Sequence, residues 1–203
     1  MTTPEQFVEA NRSRFLDELF RFLRQPSIST RNEGVSECAG LLARFMEEAG
    51  IKTRIFETQR HPVVYGEILR EGKPTLLLYG HYDIQPPEPL EEWTSPPLEP
   101  VIRNGKIYCR GSSDNKAQLF SYVKAVEALI RSRGSVPLSV KFLFEGEEEI
   151  GSPSLKPFAM GHKDLLDSDL VVYSDSHIHD VTLDGKRLKF LYPLHTNSFL
   201  TNI

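Results

Sequence analysis

A chain of 203 residues, 39% hydrophobic and 26% charged, is long enough for one ordinary domain with a sizeable core. Its net charge of -4, with acids and bases mixed throughout, gives no sign of an electrostatic grip on nucleic acid, and no nucleic-acid partner is expected. No apolar run reaches transmembrane length, and Met1-Thr-Thr-Pro-Glu5 lacks the basic and apolar regions of a secretion signal, so the expectation is a cytoplasmic protein without a membrane partner.

Pro4 to Arg24 carries Phe7, Val8, Phe15, Leu19, Phe22 and Leu23 at roughly helical spacing, which predicts one helix ended by Gln25-Pro26. A second helix is predicted from Val35 to Ala49, with Leu41, Leu42, Phe45 and Met46 facing inward and Gly50 as its stop. Cys38 reads as a buried thiol on that helix, and neither it nor Cys109 has a ligand spacing or a disulfide context. Thr53 to Glu57 and Pro62 to Leu69 read as strands. Leu76-Leu-Leu78 then forms a continuous apolar run suited to a strand buried on both faces, with Gly80 expected to stop it.

The proline-rich, acidic stretch from Gln85 to Pro100, with Trp93 in its middle, predicts a surface loop, and Asn104-Gly105 a hairpin turn. Asn115 to Arg131 reads as a helix, which sets Asp114 at or beside its N-terminus, where an aspartate commonly caps. Leu138 to Phe144 and Leu170 to Tyr173 are further apolar strands. The first runs into Glu145-Gly-Glu-Glu-Glu149 and the second into Asp175.

Chemistry gathers where these strands end. His81 and Asp83 are two apart, so an extended backbone points both the same way, either as two metal ligands or with Asp83 holding the second ring nitrogen of His81. Open α/β sheets place their sites at the carboxyl ends of strands. Collected at one edge, His81, Asp83, Asp114, Glu148, Glu149 and Asp175 supply one imidazole and five carboxylates, a set that suits divalent zinc or manganese better than a soft-metal site.

The segments Gly80-His-Tyr-Asp83, Arg110-Gly-Ser-Ser-Asp-Asn-Lys116, Glu145-Gly-Glu-Glu-Glu-Ile-Gly-Ser152 and Tyr173-Ser-Asp175 together resemble the metal-dependent aminoacylase, deacylase and dipeptidase family. That family includes acetylornithine deacetylase, succinyl-diaminopimelate desuccinylase, glutamate carboxypeptidase and carnosinase, and the flanking Tyr82, Gln85-Pro-Pro87 and Trp93 look most like the dipeptidase branch. The resemblance implies an α/β catalytic domain with a mixed central sheet flanked by helices, here over residues 1–182. It also implies two divalent metal ions, zinc first with manganese or cobalt as alternatives. His81 and Asp175 would hold one metal, Asp114 would bridge, and Glu149 would hold the other. Asp83 would orient His81, and Glu148 would act as general acid/base on a dipeptide or N-acyl amino acid. A cis peptide bond is expected from Asp114 to Asn115, and Glu147 is given no role.

Past Asp175 the text departs from the family's pattern. Leu183-Asp-Gly-Lys-Arg-Leu188 reads as a hairpin, and residues 183–203 form an unmatched tail where relatives begin a lid or dimerisation domain. Relatives return from that domain with a last histidine for the metal held by Glu149, so weak binding of the second metal is expected. The alternative to a hydrolase is a truncated, non-catalytic metal-binding fragment or partner, and a homodimer is an expectation for the full-length protein alone. His61, His162, His177, His179 and His195 are expected to be solvated or loosely packed.

Overall fold

The computed structural model describes residues 2–175 together with the backbone of two paired strands, β8 (His179–Leu183) and β9 (Lys186–Phe190). That pair matches the expected hairpin; His177 and His195 lie outside the described residues.

The first predicted helix is two. α1 (Pro4–Ala10) opens with a capping box between Thr3 and Gln6, and α2 (Arg12–Arg24) follows after a break at Asn11. The Asn11 side chain donates to the Phe7 carbonyl at 2.8 Å, offering the backbone a local partner that competes with continuing the helix. α3 (Val35–Glu48) ends as expected, with Gly50 in the left-handed region.

A five-stranded mixed sheet organises the rest. Its order is β1 (Lys52–Phe56), β2 (Val63–Ile68), β6 (Ser139–Glu145), β3 (Thr75–His81), β7 (Leu170–Tyr173). β1, β2 and β6 pair antiparallel, whereas β3 runs parallel to both β6 and β7. Side chains alternate across β3: Leu78 joins the core beneath α2, α3 and α4 (Lys116–Arg133), and Leu77 and Tyr79 join a second core under α5 (Leu155–Gly161) and α6 (Lys163–Leu166). Helices therefore cover both faces of the sheet. β4 (Val101–Arg103) and β5 (Lys106–Tyr108) form the predicted hairpin, with Asn104 and Gly105 both at positive φ.

Gly80 does not stop β3, which runs on through His81. The glycine answers a space requirement instead, since a Cβ there would stand 2.7 Å from Asn115 Oδ1. His61 and His162 are not loosely packed either. The ring of His61 is buried, with Nε2 3.2 Å from the Ser29 carbonyl, and His162 stacks on Phe158 at a ring separation of 4.3 Å. Both thiols are free and buried. Among the described residues, no helix is long and apolar enough to cross a membrane.

Candidate metal centre

Parallel pairing of β3 with β6 and β7 brings three carboxyl ends to one edge of the sheet. The chain places His81 at the end of β3, Glu148 and Glu149 on a 3-10 turn just past β6, and Asp175 just past β7. Asp114 arrives from the turn before α4, through a cis peptide bond to Asn115. Asn115, not Asp114, precedes the first turn of α4, and no side chain caps it, so Asp114 is free to face the cleft, 55% exposed.

His81 is fully buried at the centre of the group. Its Nε2 lies 3.1 Å from Asp114 Oδ1, 3.4 Å from Asp175 Oδ2 and 3.9 Å from Glu148 Oε2. Its Nδ1 is 3.1 Å from the Asp83 carbonyl and 3.3 Å from Asp83 Oδ1. Burial alone would lower the imidazole pKa, but the carboxylates of Asp114, Asp175 and Asp83 beside its two ring nitrogens outweigh it and push it up to about 12. The position therefore attracts positive charge strongly. Nε2 makes no directed hydrogen bond despite the carboxylates around it, and a divalent cation with Nε2 as a ligand meets the same demand. Ligand atoms of His81, Asp114 and Glu149 lie within 4.8 Å of one another, as do those of His81, Glu148 and Asp175. The donor set fits metal.

The acids differ in what holds them. Asp83, fully buried, accepts from the backbone N–H groups of Glu148 and Glu149 at 3.2 and 3.1 Å, so it fastens the glutamate turn to the end of β3 as well as facing His81. The His81 ring beside it holds Asp175 below the usual carboxylate range, and the Tyr173 hydroxyl, donating to its Oδ2 at 2.7 Å, adds to this. Burial raises the Glu148 pKa, and the charges of Asp175, Asp83 and Asp114 raise it further against the pull of His81. Burial also raises Glu149, opposed by Gln85, whose Nε2 donates to Glu149 Oε2 at 2.7 Å.

Supporting residues were missed in the sequence. Glu147, given no role there, is buried and accepts from the His61 N–H at 2.7 Å, Thr58 Oγ1 at 3.2 Å, and Ser154 N and Oγ at 2.8 and 2.9 Å. It pins the glutamate turn to the loop after β1. Lys116 is also fully buried, and its Nζ donates to the Phe22 and Gln25 carbonyls at 3.2 and 2.6 Å, tying the start of α4 to the end of α2. Burial lowers its pKa. In the sequence, only the strongly apolar strand leading into the acid run signalled that some of these charges would turn inward.

The family model described as Peptidase family M20/M25/M40 matches residues 77–197, past the point at which the motifs end. The Beta-Ala-His dipeptidase of Mus musculus is 37% identical over 143 residues, 69% of this chain and 28% of that protein. The succinyl-diaminopimelate desuccinylase of Thiobacillus denitrificans is 35% identical over 129 residues, 63% of this chain and 31% of that protein. The crystal structure of an M20 family metallo-carboxypeptidase from Sulfolobus solfataricus superposes with a TM-score of 0.75 at 41% identity, covering 78% of this chain and 36% of that one. The chain thus spans about a third of the length of these relatives. Since the family match spans more than half of the chain and takes in the strand-end motifs from His81 onward, the chain belongs to peptidase family M20/M25/M40.

Proposed function

We propose that the chain carries the catalytic half-site of a metal-dependent amide hydrolase acting on dipeptides or N-acyl amino acids. The observation that carries this is the buried His81 Nε2 facing Asp114, Asp175 and Glu148 at the meeting point of three strand ends. Two divalent cations, zinc first with manganese or cobalt as alternatives, would when bound supply a water of lowered pKa and a polarised substrate carbonyl. His81 and Asp175 would hold one and Glu149 the other, with Asp114 serving both; Asp83 keeps the His81 ring in place through Nδ1. Glu148, 33% exposed and with its pKa raised by burial, takes the proton from water and returns it to the leaving amine. The two curated relatives, a dipeptidase and a desuccinylase, support both substrate classes.

The test is to load the purified chain with zinc or manganese and offer it a panel of dipeptides and N-acyl amino acids. Glu148→Ala should abolish release of amino acid while metal content survives, and His81→Ala should lose the metal. Equal metal loss in both would make Glu148 a ligand and overturn its role as base. Metal uptake without turnover in the unaltered chain would support the non-catalytic reading.

A further inference from the structure

Asn115 does work that no metal ligand does. It is fully buried, and its side-chain amide sits between two strand ends. Oδ1 accepts from the His81 N–H at 3.3 Å, and Nδ2 donates to the Ser174 carbonyl at 3.0 Å. The β3–β7 ladder stops at Tyr79 and Tyr173, so beyond that pair the amide replaces the next rung. Where a direct rung would hold two strands about 4.8 Å apart, an inserted amide spreads them. The residues it joins are His81 itself, the neighbour of Asp175, and, through its own peptide bond, Asp114.

Gly80 is the second observation. A Cβ at that position would lie 2.7 Å from Asn115 Oδ1 and 3.2 Å from Leu119 Cβ. Its φ lies outside the left-handed region, so conformational freedom does not explain the glycine. It leaves the space the Asn115 amide occupies.

We infer that Asn115 is a positioning residue that sets the separation of His81 and Asp175 around Asp114, with Gly80 providing its socket. It touches no cation and acts through the backbone of β3 and β7. The inference rests on the metal-centre reading above.

The test is a Co2+ titration of the full chain followed by visible absorption, in the unaltered protein, Asn115→Asp, Gly80→Ala and His81→Ala. Asn115→Asp keeps shape and acceptor but sets an oxygen against the Ser174 carbonyl; Gly80→Ala keeps the amide and displaces it. Both should weaken Co2+ binding by about tenfold or more and shift the absorption band, with circular dichroism showing a folded chain. Should either variant fail to fold, Asn115→Ser, which removes reach without adding bulk, takes its place. Unaltered affinity and spectrum in the folded variants overturn the inference and leave the metal centre standing. Loss confined to Asn115→Asp, with Gly80→Ala unaltered, also overturns it, since moving the amide out of its socket would then have no effect. If the unaltered chain shows no band that depends on His81, the metal centre itself falls and the positioning role with it.

Discussion

Glu145, Glu147, Glu148 and Glu149 share one short stretch and meet different surroundings. Glu147 satisfies donors on two loops, so Glu147→Ala should cost about 3 kcal/mol by leaving buried N–H groups unpaired, read as a lowered urea midpoint with unchanged slope. Glu145, buried beside His81 in the β3–β6 ladder, accepts from the Tyr79 hydroxyl and from Ser152 Oγ at 2.9 Å, and burial pushes its pKa up to about 7. A carboxyl whose folded pKa exceeds its unfolded value of 4.5 holds its proton in the folded state, so stability falls as pH rises from 4.5 to about 7. Glu145→Gln removes that dependence and should compare more favourably with the unaltered protein at pH 8 than at pH 5. Identical differences at the two pH values would show that Glu145 does not titrate in this window. The sequence displayed four acids in a row around one glycine; which of them turn inward depends on loops 58–61 and 152–154, far from them or folded back, and spacing holds no record of that.

At the scale of elements, the helical layer is joined by charge. Lys124 of α4 lies 2.5 Å from Glu18 and 2.8 Å from Glu127, while Arg14 of α2 reaches Glu127 at 2.6 Å. Burial would raise the Glu127 pKa, but Arg14 and Lys124 prevail and hold it below 4.5. Its contribution is therefore complete above pH 4.5 and is lost as pH falls through the lower folded value. The stability difference between the unaltered chain and Glu127→Gln should shrink between pH 6 and pH 3 in urea titrations; a constant difference would count against the network. Elements themselves were largely legible, because apolar periodicity reports burial directly: α3, the hairpin at Asn104-Gly105 and every sheet strand fall where the pattern sets them. The exceptions were local competitions. Asn11 broke a helix through its own side chain, and Gly80 stayed in its strand because a neighbour 35 positions on needed the space.

For the whole molecule, the strand order was the part hidden from the sequence, since β6 enters between β2 and β3 only through long-range pairing. That His81, Glu148, Glu149 and Asp175 lie at strand ends was legible; the parallel pairing that makes them neighbours was not. Because His81, Asp114, Glu149 and Asp175 meet only in the folded chain, zinc held by them would bind that state alone. At a hundredfold excess over its dissociation constant it should add about 2.7 kcal/mol, roughly 5 to 10 °C in melting temperature. EDTA should reverse the rise, and His81→Ala should show none. A rise of equal size in His81→Ala would place the zinc elsewhere.

The enclosed ammonium of Lys116 gives the cleft a chemical witness. Lysine acylation, followed by mass spectrometry, should label Lys52, whose side chain is 74% exposed, within the first exposures, and spare Lys116, which has no exposed surface. Acylation at Lys116 would then report the moment when the end of α2 lifts away from the turn that carries Asp114, a loosening that neither metal content nor turnover distinguishes from loss of a ligand.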